Sequence, residues 1–190
     1  PALFQTQAAL SDAELATLCT QDDKEINVRT LARVGDLTIS GDGILLDGQS
    51  AGGSARTETL TNTATMTGNL VISGNDTVIK GIDFTSAGEK AISFVSGATN
   101  VTFQDCKFTQ GAAVGETGKW FYGDFLGGNV TVTNCRIEGF RDVYLADFSS
   151  SSSFTMEGAL VRVRVKRNLF KNNRGCIAAR GKLGTPAKLI

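Results

Sequence analysis

The chain has 190 residues, 19 Lys and Arg balanced by 19 Asp and Glu, and no histidine. That length makes one domain with room for a substantial core, and the missing imidazole excludes Ser-His-Asp and Cys-His mechanisms. Twenty-two Gly and only two Pro among many Thr, Ser and Val suit an all-β chain with many turns.

Residues 1–35 read as an N-terminal arm with a capping helix. The opening PALFQTQAALSD lacks a basic n-region and an apolar h-region, so no secretory signal is expected. No stretch approaches the roughly 18 apolar residues that cross a bilayer, and no membrane is expected as a partner. In LSDAELATLCT, Ser11 is placed as N-cap and Glu14 at N3, a capping box, with Leu10 and Leu15 as the hydrophobic staple. Leu15, Leu18 and Cys19 form its short apolar face. Such a helix serves either to close the first turn of a solenoid or to anchor the chain to something else.

A weak coil is read in DLTISGDGILL (Asp36 to Leu46), and RTETLTNTATMTGNLVIS (Arg56 to Ser73) supplies further early strands. SAGGSAR (Ser50 to Arg56) reads as a mobile loop. From there the pattern sharpens. TVIKGIDF (Thr77 to Phe84), VTFQDCKF (Val101 to Phe108), VTVTNCRI (Val130 to Ile137) and VRVKRNLF (Val163 to Phe170) superpose, with offsets of 24, 29 and 33 residues. Each reads as two short strands joined by a bend, followed by a turn and a third apolar stretch: KAISFV, WFYGDF, DVYLADF and GCIAA. Self-similarity at this period marks a stacked, quasi-one-dimensional fold. The fold class is therefore all-β, a right-handed parallel β-helix of about five or six coils over residues 36–182, with 183–190 as a tail. SSSSS (Ser149 to Ser153) reads as an excursion between coils.

Parallel strands about 4.8 Å apart place equivalent side chains above one another. That predicts two inward columns, Ile82–Cys106–Cys135–Asn168 and Phe84–Phe108–Ile137–Phe170, with the Asn168 amide bonding backbone at the end of its column. Cys19, Cys106, Cys135 and Cys176 lack C-x-x-C spacing and have no histidine to join them, so no metal site is expected. Cys106 and Cys135 are expected as buried free thiols. The N-x-T sequons at Asn75, Asn100 and Asn129 read as turn residues.

From Val161 to Ile190 there are nine basic residues and no acid. Arg162, Arg164 and Lys166 alternate with valines, which places them on the outer face of the last strand. Two readings stay open: a charged edge that blocks strand addition, or a docking surface for an acidic partner. Nucleic acid is not expected, because no aromatic residues interleave with these cations.

These stacked coils resemble the β-helix of pectate lyases and bacteriophage tail spikes, and in size they are similar to the short trimeric decoration (cement) proteins of tailed-phage capsids. The resemblance implies a homotrimer on the virion surface, synthesised in the host cytoplasm and bound to the major capsid protein. It implies no enzyme, no catalytic residue, no cofactor and no metal. An outward apolar column on the third strands would form the trimer contact, through Trp120, Tyr122, Tyr144 and Ile177. Capsid docking would use Leu15, Leu18, Arg162, Arg164 and Lys166. The alternative is a tail spike or receptor-binding β-helix that binds or cleaves host polysaccharide as a hydrolase or lyase. Its candidate carboxylates are Asp83, Asp105, Asp124, Glu138, Asp142 and Asp147, and its cations Lys107, Arg136 and Arg141. Asp83, Lys107 and Arg136 are expected one above another as an outward ridge.

Overall fold

In the computed structural model, which describes residues 10–95, 98–112, 118–123, 127–141, 144–147, 161–174 and 178–180, strands follow one another in groups of three. Helix α1 (Asp12–Leu18) precedes them. The first turn holds β1 (Glu25–Asn27), β2 (Ala32–Val34) and β3 (Leu37–Ile39), and the second β4 (Leu45–Asp47), β5 (Ala64–Thr67) and β6 (Leu70–Ile72). The third holds β7 (Val78–Lys80), β8 (Ile82–Ser86) and β9 (Lys90–Phe94), and the fourth β10 (Thr99–Gln104), β11 (Lys107–Gln110) and β12 (Lys119–Gly123). Then come β13 (Gly127–Thr133), β14 (Arg136–Glu138) and β15 (Tyr144–Asp147), and last β16 (Val161–Lys166), β17 (Leu169–Lys171) and β18 (Ala178–Arg180).

The first strands of all turns form one wall, β1-β4-β7-β10-β13-β16, and the second strands another, β2-β5-β8-β11-β14-β17. Third strands pair as β3-β6-β9-β12 and β15-β18. Every strand pair among the described residues is parallel. The pattern arises because apolar and polar residues alternate along each short strand, and one face of each wall is turned inward.

Register makes like residues stack. Phe108 pairs with Phe84 on one side and Ile137 on the other, and Ile137 with Phe170. The Phe84 and Phe108 rings lie parallel at 5.1 Å, and Trp120 sits 5.6 Å from Phe108 and 6.0 Å from Phe170. Cys106 and Cys135 are buried free thiols one level apart in this core. Burial and the neighbouring Cys106 push the Cys135 thiol well above its ordinary range. Asn168 ends the column as its amide suggests: Nδ2 donates to the Val132 carbonyl at 2.7 Å and Oδ1 accepts from the Cys135 N–H at 2.7 Å.

The corners follow from turn chemistry. Gly81, Asp105, Asn134 and Arg167 occupy the same bend in successive turns, all with φ between 51° and 68°. Gly, Asp and Asn adopt this left-handed conformation readily, whereas Arg does so at a cost. Of the residues expected in turns, Asn75 lies in the bend before β7, whereas Asn100 sits at an irregularity within β10 with φ 52° and Asn129 lies inside β13; the side chains of all three are engaged. Asn75 donates to Asp42, and Asn129 donates to Asn100.

The repeat begins earlier than its sequence pattern reveals. β1 and β2 lie within residues 1–35, the segment assigned to the arm, and both pair with the second turn. DLTISGDGILL is divided, supplying β3 to one turn and β4 to the next. The SSSSS excursion, the tail 183–190, Asp124, Asp142 and Ile177 lie outside the described residues.

α1 closes the first turn. Ser11 caps it with a full capping box, and its hydrogen bonds hold the Glu14 carboxyl below its usual range. Leu15 and Cys19 are buried in the core, with Leu10 and Leu18 packed against it. Burial pushes the Cys19 thiol up to about 11. Arg33, the Cα partner of Met66, takes an inward position and is only 11% exposed. Its guanidinium donates to the Asp36 carbonyl at 2.7 Å and the Asp12 carbonyl at 3.2 Å, tying the helix to β2.

Candidate functional site

The wall formed by the second strands carries an outward column of unlike charges. Asp83, Lys107 and Arg136 are successive Cα partners there, so the expected ridge exists. Lys107 Nζ meets Asp83 Oδ2 at 3.1 Å. Arg136 Nε donates to Glu138 at 2.8 Å, and its Nη1 lies 3.3 Å from Glu58.

Glu58 belongs to the connection 48–63 between β4 and β5; Ser50 to Arg56 was expected as a mobile loop and the stretch from Arg56 as strand, and together residues 48–63 form a strap. Ala51 and Thr61 bond across its base through the antiparallel Gly52–Thr61 bridge. Its tip runs along the corner between two walls. The Ala55 N–H donates to Asn134 Oδ1 at 2.8 Å, in the fifth turn. Glu58 accepts from Lys171 Nζ at 2.7 Å, in the sixth. Nearer the base, Asn62 Nδ2 bridges Asp83 Oδ1 (2.7 Å) and the Asp105 carbonyl (2.9 Å). Ala55 and Leu60 are buried although neither belongs to the main core. Gly53 has φ +94°, and a Cβ there would lie 2.1 Å from the Thr59 carbonyl oxygen, so the strap's tight return needs glycine.

The Lys171 hydrogen bond, aided by the Lys171 and Arg136 charges, holds the Glu58 carboxyl below its usual range. Asp105 accepts from Asn134 at 2.6 Å and from Gln104 at 3.1 Å. Each carboxylate of this ridge thus already has a cation or amide partner. Asn62, Glu58 and Asn134, which organise it, were not among the expected site residues. The one sequence signal for them was an isolated Leu60 in a polar run, facing a column of unlike charges.

The remaining expected site residues separate. Trp120 is fully buried between Phe108 and Phe170, so it is not a subunit contact: alternation along β12 turns its indole into the core. Leu15 is not a docking residue, because it fills the first turn. Leu18 is half-buried against the same core. Arg164 and Lys166 are exposed on β16, and Arg141 is exposed beyond β14. Tyr122 pairs through its backbone with Ser93, Tyr144 with Ala178 and Arg162 with Asn129, but their side chains lie outside the described residues, as does that of Asp147. Among the described residues no group of three or more His, Cys, Asp or Glu is placed to hold a metal ion.

The profile of the right-handed beta helix region matches residues 25–185. No curated protein and no solved structure matches the chain.

Proposed function

The chain belongs to the right-handed β-helix family, and from that premise we propose that it is a structural virion protein, a trimeric decoration subunit that binds and stabilises a tailed-phage capsid. The observation that carries this reading is the state of the ridge: Asp83, Asp105, Glu58 and Glu138 are each tied to a neighbour. Glycoside hydrolysis needs two carboxylates about 5 to 9 Å apart and free to act on substrate and water. Paired charges on neighbouring strands serve the sheet instead. A clamp on a shell needs a rigid body and repeated weak contacts, and trimeric symmetry multiplies such contacts into avidity. Its partners are its own copies and the major capsid protein.

The test is to mix the protein with intact virus-like shells and count bound copies. Many copies around threefold positions support decoration, and a failure to bind shells overturns it. The second reading, a polysaccharide-binding or polysaccharide-cleaving tail spike, is favoured by the Asp83–Lys107–Arg136 ridge itself. A few copies at the tail, or depolymerisation of a capsular glycan that Asp83→Asn abolishes, would select it.

A further inference from the structure

The net charge of zero conceals opposite ends. Residues 10–47 hold eight Asp and Glu against three Lys and Arg, while residues 161–174 hold six Lys and Arg and no acid. Net charge is therefore −5 over the first segment and +6 over the last. Both segments end in an unpaired edge: β1 pairs only with β4, and β16 only with β13, among the described residues.

The two edges match in detail. On β1, Glu25 and Asn27 are exposed on either side of the buried Ile26. On β16, Arg164 and Lys166 are exposed on either side of Val165. Ile26 and Val165 are the first and last members of one column, Ile26–Leu46–Ile79–Phe103–Val132–Val165. We propose that the β16 edge of one copy adds in parallel to the β1 edge of a second copy, head to tail. In the register that continues the column, Val165 falls opposite Ile26, Arg164 opposite Glu25 and Lys166 opposite Asn27. The Arg162 position falls opposite Asp23. α1 lies against β3 and leaves the outer edge of β1 without a backbone partner among the described residues.

A charged edge ordinarily repels a second copy of itself. Here the repulsion acts between like ends only, and unlike ends attract. The contact is a strand addition in which main-chain bonds give affinity and flanking charges give register. It is heterologous, so it leaves one free edge of each kind and does not close. This axial contact is independent of the capsid reading, whose trimer contact is lateral.

Sedimentation velocity on the full chain tests it, at ionic strengths of about 10 mM and about 1 M, where the screening length falls from about 30 Å to about 3 Å. Concentration-dependent association is expected at low salt and is weakened at least about tenfold at high salt. Small-angle scattering should show the longest dimension growing by at least about 29 Å per added copy, six levels at strand spacing. Arg164→Glu or Glu25→Arg should each weaken association at least about tenfold, a difference of about 1.4 kcal/mol. The Arg164→Glu/Glu25→Arg double variant should restore it. Both positions are exposed, and circular dichroism verifies that each variant is folded. A single species at low salt, association indifferent to either substitution, or particles that widen without lengthening would each overturn the proposal. None of these outcomes depends on whether the protein binds shells.

Discussion

The two mouths of the solenoid solve the same problem with different chemistry. At the N-terminal mouth α1 lays Leu15 and Cys19 over the first turn, and Arg33 bonds two carbonyls beneath the helix. At the other mouth, amides finish the ladders. Asn168 joins the Val132 carbonyl to the Cys135 N–H, and Asn173 joins the Ile137 carbonyl to the Phe140 N–H. An amide satisfies backbone groups without covering apolar surface. Val165 accordingly stays 37% exposed, although every earlier member of its column is buried. Satisfying hydrogen bonds and excluding water are separate tasks, and only the helix performs both.

Truncation of the two apolar ends should expose this difference most strongly. Leu15→Ala is expected to cost about 3 kcal/mol in urea unfolding, through lost burial and a residual cavity. Val165→Ala should cost less than about 1 kcal/mol, because the site is already wet. Equal losses would mean that the C-terminal mouth is covered as well as the first.

Removing the cap hydroxyl, Ser11→Ala, should cost about 1 kcal/mol, since the Glu14 N–H and the Ser11 side chain lose each other. A change within a few tenths of a kcal/mol would show that α1 is held by its apolar face alone. At the opposite end Arg167 bears φ 60° in a corner that Gly81 fills two levels away from its own neighbour Asn134. Arg167→Gly should therefore gain about 0.5 kcal/mol. A loss there would mean that the Arg167 side chain contributes more than its backbone strain costs.

The smallest effect concerns the strap that links the second turn to the last. Glu58 has a lowered pKa, chiefly from the Lys171 hydrogen bond. The folded carboxylate is favoured, so its tie is complete above the ordinary glutamate value of about 4.3 and is lost as pH falls through the lowered one. Amides of residues 48–63 should open on acidification below that value, and Lys171→Ala should produce the same opening at neutral pH. A strap whose protection ignores both changes is held by Ala55, Leu60 and its bonds to Asn134, Asp83 and Asp105 without help from Glu58.

The stacked turns are legible in the sequence where inward columns repeat one residue type, as in Phe84–Phe108–Ile137–Phe170. They fade at the N-terminus because the first turn departs from that code. Ile26 is the sole apolar residue of β1, and Arg33 takes an inward position that alternation reserves for a hydrophobe. The strap is hidden by composition: two buried residues, Ala55 and Leu60, sit within a run of Gly, Ser, Thr and charge. Trp120 was expected outward and lies inward, because three rings in succession defeat a period-two pattern. The ridge was legible, since Asp83, Lys107 and Arg136 hold the same repeat position, but its partners come from a loop outside the repeat.

Amide hydrogen exchange by mass spectrometry, resolved turn by turn, tests the asymmetry of the two ends most directly. Protection should stay high from β3 through β11 and decline across β14 to β17, with the first turn better protected than the last. Equal protection at both mouths, or a first turn that opens before the last, would contradict the account.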